Sequence, residues 1–338
     1  MNSTYLEIVE KGRVVCASEP LAERALAPYE ALIQNEASII SAGTELSKVF
    51  AFKEGLKFPI RPGYGSVGRI VAKGEALTDY RIGERVFYTG KHASLQYYTS
   101  TSKTQWDHMF HVDKSLDPVE ATFACLVNIA MTGPNLAEVK LGDRVAVFGL
   151  GMIGLLDALL FQMQGAKVIG LDPVAERCDF AKSVGLETVV NCPAQEQVKT
   201  VMELTGNEGT DIAVDAVGHS AVIASAIRVT KNYSQVMLLG SPRVAFEGNI
   251  TEPMNAIHMK NLRVIGSLMN CVPLRATEGM HLYAERNFRT AFELIGSKKI
   301  DARKFISHVI RPEQANEAYH GLMFEKERYR CVAIDWRE

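Results

Sequence analysis

The sequence predicts an α/β protein in two parts: a β-rich first domain and a doubly wound parallel sheet of six strands. Three observations carry this. The run Gly149-Leu150-Gly151-Met152-Ile153-Gly154 is a G-x-G-x-x-G between an apolar stretch and an amphipathic one. From Arg144 onward, strand and helix patterns alternate. Before that, short apolar runs are broken by Gly and Pro turns.

Taken in order, residues 1–120 contain the runs Ile8-Val9, Ala31-Leu32-Ile33, Val67-Gly68-Arg69-Ile70-Val71 and Arg85-Val86-Phe87-Tyr88, as expected for a closed or rolled β domain. Asp117-Pro118 then opens a helix expected over 117–138. The alternating part follows. Strands are expected at 144–148, 167–171, 188–191, 212–215, 234–239 and 262–266. Helices are expected at 152–164, 174–184, 194–204 and 219–230 between them. A long helix at 281–296, a strand at 305–310, a helix at 312–323 and a strand at 330–335 close the chain. The domain division is 1–120, 121–272 and 273–338, the last segment returning to the first domain.

A length of 338 residues suits two domains, and 47% hydrophobic with 22% charged residues suits a globular chain with a good core. The net charge of −2, with no Lys/Arg block, leaves no footprint for nucleic acid or an anionic membrane. A small-molecule substrate is expected instead. None of the six cysteines forms a C-x-x-C pair, which argues against a zinc knuckle or a disulfide framework. The N-terminus lacks the basic-then-apolar layout of a signal peptide, and no apolar run approaches ~20 residues. A cytoplasmic protein is the expectation.

The glycine run carries the first chemical inference. Gly149 permits a tight turn, Gly151 lets backbone N–H groups approach a pyrophosphate, and Gly154 lets helix and sheet pack closely. The helix opening at Met152 and Ile153 favours negative charge at its N-terminus. Asp172 ends the next strand, where a carboxylate binds ribose hydroxyls and repels a 2′-phosphate. The expected cofactor is therefore NAD rather than NADP. Arg177 is either a phosphate or adenine contact or a surface charge. Val217-Gly218 and Gly240-Ser241 end two later strands, on the side where the nicotinamide half is expected. His219 reads as a helix-entry residue.

Four blocks extend the reading to the whole chain: Ile40-Ser41-Ala42-Gly43-Thr44-Glu45, Pro62-Gly63-Tyr64-Gly65-Ser66-Val67-Gly68, Ile82-Gly83-Glu84-Arg85-Val86 and Leu141-Gly142-Asp143-Arg144-Val145. With the glycine run they resemble the medium-chain dehydrogenase/reductase superfamily, the zinc alcohol dehydrogenase relatives. That resemblance implies a GroES-like catalytic domain and a Rossmann domain. It also implies a zinc ligand at three positions, and here those positions hold Ala42, Tyr64 and Asn128, none a usual ligand. The structural zinc lobe of that family falls at about 90–110, a stretch without cysteine. His92, His108 and His111 are other metal-capable residues, but His108 and His111, three apart, read more simply as surface or loop residues, and no further ligand to complete a site is evident. The expectation is an enzyme without zinc. The A-G-T-E and P-G-Y blocks also resemble a zinc-lacking branch that includes the bacteriochlorophyllide hydroxyethyl dehydrogenases, which oxidise a secondary alcohol.

Without zinc, another group must polarise the carbonyl or take the alcohol's proton. The resemblance places Thr44 at the start of a proton relay, with Glu45 beside it. The expected catalytic set is Thr44, Glu45 and Tyr64. Two blander readings stay open: Tyr64 fills a vacated metal cavity, and Glu45 pairs with an arginine such as Arg69. Trp106, Asn128, Met131, Met269 and Asn270, with Tyr97 and Tyr98, are the candidate substrate pocket, suited to a polyol, a sugar-like or a ring-bearing alcohol. Two other functions remain open, a C=C reductase and a catalytically silent NAD-binding protein. The superfamily resemblance implies a homodimer or homotetramer joined along the last sheet strand, Leu262–Gly266.

Overall fold

The computed structural model describes residues 1–52, 54–242, 244–279 and 282–337. It forms two compact units, Met1–Cys125 with Val272–Glu338, and Leu126–Cys271. No helix among the described residues is long and apolar enough to cross a membrane.

The first unit is built on antiparallel strands. Asn2–Glu10 and Arg13–Pro20 form a hairpin. A seven-stranded sheet runs in the order His308–Ile310, Val332–Asp335, Glu30–Ile39, Ser66–Lys73, Arg85–Tyr88, Phe110–His111, and Leu95–Thr99 also pairs with Glu30–Ile39. Leu6, Ile8, Ile40, Val49, Tyr319, Val332 and Ile334 form one core cluster, so residues from both ends of the chain bury each other. The sequence reading passed over the helix Ala42–Val49, which buries Glu45, Leu46 and Val49. Phe305 was expected in a strand, but Ala302–Phe305 is a helical turn and the strand begins at His308. The long helix runs Ala284–Gly296; its expected start at residue 281 lies outside the described residues.

The second unit holds the parallel sheet. Its strand order is Thr188–Asn191, Lys167–Asp172, Arg144–Phe148, Thr210–Asp215, Thr230–Leu238, Arg263–Gly266. The chain winds outward from Arg144–Phe148, then crosses back to Thr210–Asp215 and winds the other way. This is the doubly wound order, and ligands bind at the carboxyl ends beside the point of reversal. The central strands are apolar on both faces, as helices cover both: Val145, Ala146, Val147 and Phe148 are all buried.

Two local departures have physical causes. The helix expected over 117–138 is three shorter ones, Pro118–Thr122, Ala124–Ala130 and Thr132–Leu136. The apolar spacing runs through all three, and the second break has its cause in Pro134, which has no N–H to continue the ladder back to Ala130. The helix Thr251–Lys260 was not expected at all. None of its residues is fully buried, and only Ala256 and Ile257 pack against the core, an apolar stripe too short to read from spacing.

Asp157 yields a stability prediction. It lies in the helix Met152–Met163, is fully buried, and neither carboxyl oxygen has a hydrogen-bond partner. Burial pushes its pKa well above the ordinary carboxyl value. The native state therefore binds a proton that the unfolded state releases above about pH 4, and stability falls as pH rises through that window. Asp157→Asn carries no charge to suppress. It is expected to gain about 1–3 kcal/mol at pH 8 and almost nothing at pH 3.5, read from urea midpoints. An equal gain at both pH values would sink the ionisation account.

Candidate functional site

In the second unit, the glycine turn has a distinct job for each glycine. Gly149 sits at φ +96, a left-handed conformation, and a Cβ there would lie 2.7 Å from Val217 Cγ2. A Cβ on Gly154 would lie 2.1 Å from the Gly149 carbonyl oxygen. On Gly151 a Cβ would meet nothing within 4 Å, so the turn is open on that side. Gly151 is the N-cap of Met152–Met163 and no side chain caps this helix. Its first-turn N–H groups, those of Met152 and Ile153 among them, are the kind of donors that hold a phosphate.

Asp172 ends the neighbouring strand and folds back on the turn. Its Oδ2 accepts from Leu150 N at 2.8 Å, its Oδ1 from Val174 N at 2.9 Å, and Arg177 Nη1 lies 3.4 Å from Oδ2. Asp172 thus ties the glycine turn to its own strand end, and Arg177 is its ion-pair partner. The later strand ends also meet. Gly240 N donates to Asp215 O at 2.8 Å, and Val217 N and Gly218 N each donate to Asp215 Oδ1 at 3.0 Å. Ser241 follows directly. His219 caps the helix Ser220–Val229, its Nδ1 accepting from Ala221 N at 3.2 Å, which matches its reading as a helix-entry residue.

In the first unit, a buried polar cluster surrounds Glu45. Its Oε1 accepts from Ser41 N at 2.8 Å, and its Oε2 accepts from Tyr319 Oη at 2.6 Å and lies 3.0 Å from His92 Nε2. Glu45, His92 and Tyr319 are all fully buried. The other ring nitrogen of His92 lies 2.8 Å from Ser38 Oγ, which also accepts from Trp336 Nε1 at 2.9 Å. Burial pushes the Glu45 carboxyl up, but the His92 charge and the hydrogen bonds from His92, Tyr319 and Ser41 outweigh it and hold the pKa below its usual value. The alternative left open, a pairing of Glu45 with Arg69, is not found: Arg69 Nε lies 3.1 Å from Glu36, which Arg85 also binds.

Tyr64 joins this cluster through Ser41. Its hydroxyl donates to Ser41 Oγ, and Thr44 hydrogen-bonds it from the same helix. Burial raises the Tyr64 pKa well above its ordinary value, with added repulsion from Cys125 and Glu45, against the opposing pull of the Ser41 and Thr44 hydrogen bonds. The Trp106 ring stands edge-on to Tyr64, centroids 6.0 Å apart. Thr44, Glu45, Tyr64 and Trp106 therefore lie together. Sequence reasoning overlooked Ser41 and Tyr319 here, and considered His92 only as a metal ligand.

The other candidate pocket residues separate. Tyr97 faces a different hollow, its hydroxyl on Ala22 O at 2.9 Å and Arg24 over its ring. Tyr98 is turned inward, its hydroxyl on Trp106 O at 2.8 Å and its ring edge-on to Tyr88. Asn128, Met131, Met269 and Asn270 belong to the second unit. Asn128 is fully buried and its Nδ2 donates to Met269 Sδ at 3.0 Å. Met131 is buried, and Asn270 is exposed.

Taken one by one, the three positions where the resemblance implies zinc ligands hold no usual one: Ala42 offers no donor atom, the Tyr64 hydroxyl is hydrogen-bonded to Ser41, and Asn128 donates to a thioether. Among the described residues no three His, Cys, Asp or Glu side chains converge as a metal site would need. His108 bonds Ser102 Oγ at 2.9 Å, and burial holds its pKa down to about 4. His111 stacks on Tyr80.

Residues 152–285 match the zinc-binding dehydrogenase family. An alcohol dehydrogenase of Cupriavidus necator is 26% identical over 96% of both chains. An uncharacterised zinc-type alcohol dehydrogenase-like protein of Haemophilus influenzae is 24% identical over 89% of this chain and 90% of its own. Galactitol-1-phosphate dehydrogenase of Escherichia coli shares the fold, with a TM-score of 0.83 at 19% identity over 98% of this chain and 99% of its own. A zinc-binding dehydrogenase of Sinorhizobium meliloti, solved with NADP, gives 0.79 at 21% identity over 99% of both chains. With the glycine turn, the doubly wound sheet and near-full-length relatives of this kind, the chain resembles the zinc-binding dehydrogenases and the wider alcohol dehydrogenase-like medium-chain dehydrogenase/reductases.

Proposed function

We propose that this chain is a zinc-independent, NAD-linked oxidoreductase that interconverts a secondary alcohol and its ketone. The observation that carries this reading is Tyr64. It stands where the family resemblance implies a zinc-binding histidine, and it comes with its own hydrogen-bonded support in Ser41, Thr44 and Glu45. A residue that merely filled space would not need its hydroxyl ordered this way. The relatives support the substrate class only broadly: they include proteins named for alcohols and, in one solved structure, galactitol-1-phosphate. A polyol or sugar-like alcohol is the reading we adopt.

The residues divide the work. Gly149, Gly151, Met152, Ile153 and Gly154 hold a pyrophosphate with backbone donors. Asp172 accepts ribose hydroxyls and repels a 2′-phosphate, which supports NAD, with Arg177 steadying its carboxylate. The nicotinamide, when bound, supplies or takes the hydride. Tyr64 stays a neutral phenol at ordinary pH, so with substrate bound it turns its hydroxyl from Ser41 to the carbonyl oxygen and passes its proton there as the oxygen becomes a hydroxyl. Ser41 then rotates from acceptor to donor toward the tyrosine oxygen. Glu45 orders Ser41 through its backbone N–H. We also propose a second copy of the chain along the edge strand Arg263–Gly266, where Val264 is exposed and Leu268 follows, also exposed.

The test is an absorbance screen at the NADH band with polyols, sugars, aminopolyols, hydroxyacids and their ketones, beside metal analysis of the same sample. We expect turnover without stoichiometric zinc, and NADH bound about tenfold or more tighter than NADPH. For the best substrate, Tyr64→Phe is expected to lower kcat by about 10²–10⁴ with NADH affinity unchanged. Unchanged turnover would remove Tyr64 from the chemistry. Bound zinc would overturn the metal-free reading, and NADH binding with no turnover across the panel would favour a silent binding protein.

A further inference from the structure

We propose that the side chains of Asn128 and Ser267 anchor the carboxamide of the nicotinamide ring, an inference that rests on the dinucleotide reading above. Three features of the second unit lead here. Ser267 is the residue directly after the strand Arg263–Gly266. That strand lies two beyond Thr210–Asp215 on the side of the sheet away from Asp172. In this sheet order the adenosine end belongs near Asp172 and the nicotinamide end near the later strand ends.

Asn128 and Ser267 also lie in one patch. Thr132 Oγ1, whose shorter bond goes to Ile129 O at 2.6 Å, also reaches Ser267 O at 3.2 Å, and Asn128 Nδ2 donates to Met269 Sδ at 3.0 Å. Asn128 and Thr132 are four residues apart, one helical turn, so the same face of this helical segment meets residues 267 and 269 by two parallel ties.

The decisive feature is what these two residues leave unused. Asn128 Oδ1 and Ser267 Oγ are both buried, and neither has a hydrogen-bond partner. Two orphaned polar atoms in one patch are unusual, because each is costly to bury alone. Their chemistry fits one ligand group. A primary carboxamide offers N–H donors and a carbonyl acceptor. Asn128 Oδ1 takes an N–H, and the Ser267 hydroxyl donates to the carbonyl. Met269 lies against Asn128 through its sulfur. A thioether is a weak acceptor on a flexible chain, so a stronger ligand displaces it readily.

The test compares three probes by fluorescence or calorimetric titration: NADH, ADP-ribose, which lacks the nicotinamide ring, and the reduced 3-acetylpyridine analogue, which lacks the carboxamide N–H. Wild-type protein is expected to bind NADH and ADP-ribose, and the acetylpyridine analogue about tenfold more weakly than NADH. Asn128→Leu is expected to weaken NADH about tenfold, to leave ADP-ribose unchanged, and to erase the preference for NADH over the analogue. Ser267→Ala removes one hydroxyl, with little risk to folding, and should weaken both ring-bearing probes and spare ADP-ribose. Unchanged NADH binding in both variants overturns the anchor. So does an equal loss for ADP-ribose. Wild-type protein that binds none of the probes overturns the dinucleotide reading itself, an outcome distinct from both.

Discussion

Gly154→Ala is expected to cost the second unit about 3 kcal/mol of stability, while Gly151→Ala leaves folding intact and weakens nucleotide binding. The two glycines are three residues apart in the same turn, yet they face different things. A Cβ on Gly154 would stand 2.1 Å from the Gly149 carbonyl oxygen and 2.7 Å from Ala216 Cβ. Neither neighbour is a flexible chain end, so helix and strand must separate. Gly151 has φ −62 and ψ 174, values open to alanine, and its Cβ would point into empty space. That space is where a pyrophosphate must approach the backbone. Thermal unfolding and NADH titration of both variants separate the effects. We expect a lower Tm for Gly154→Ala alone, and NADH affinity reduced about tenfold or more for Gly151→Ala at unchanged Tm. Wild-type affinity in Gly151→Ala would remove the turn from the binding site.

The second large effect is expected at Glu45. Glu45→Ala removes a buried carboxylate that serves Ser41, His92 and Tyr319 together. Breaking a buried pair by deleting one partner costs about 3–5 kcal/mol, because the remaining partners stay buried without it. The pH dependence has a definite sign. The folded pKa of Glu45 is lowered, so its contribution is complete above the unfolded carboxyl value of about 4.3. It is then lost as pH falls through the lower folded value. Urea unfolding at pH 7 and pH 3 should show the wild-type advantage shrinking at the acid end. A constant difference at both pH values would mean that packing, not the carboxylate's charge, holds the cluster together.

How much was legible in the sequence depended on how locally each feature is encoded. The glycine turn and Asp172 lie within one strand–helix–strand unit, so spacing alone brings them together. The alternating strands of the second unit were legible for the same reason. The cluster around Glu45 was only half visible. Thr44, Glu45 and Tyr64 sit in recognisable blocks, but their partners come from elsewhere. His92 lies in a loop with no motif, and Tyr319 comes from the helix Ala315–Phe324, where it looks like any core aromatic. Ser41 was in plain view beside Ala42, and the one available signal was its position as N-cap of a helix that the reading passed over. Arg69 seemed a natural partner for Glu45 by charge. The sheet register instead places it across from Gln34 on Glu30–Ile39, the strand that carries its real partner Glu36.

The bond between Tyr319 and Glu45 spans 274 residues. A ribosome adding about 5–20 residues per second needs tens of seconds to cover that interval. Throughout it, Glu45 has been made and its partner has not. The strand Glu30–Ile39 waits as long for Val332–Asp335 to cover its edge. The intervening unit is continuous and is complete in sequence as soon as residue 271 has been added. A newborn chain therefore has the glycine turn and its parallel sheet well before it has all the members of the Glu45 cluster. Premature termination after residue 271 but before residue 319 yields a polypeptide with the first but never the second.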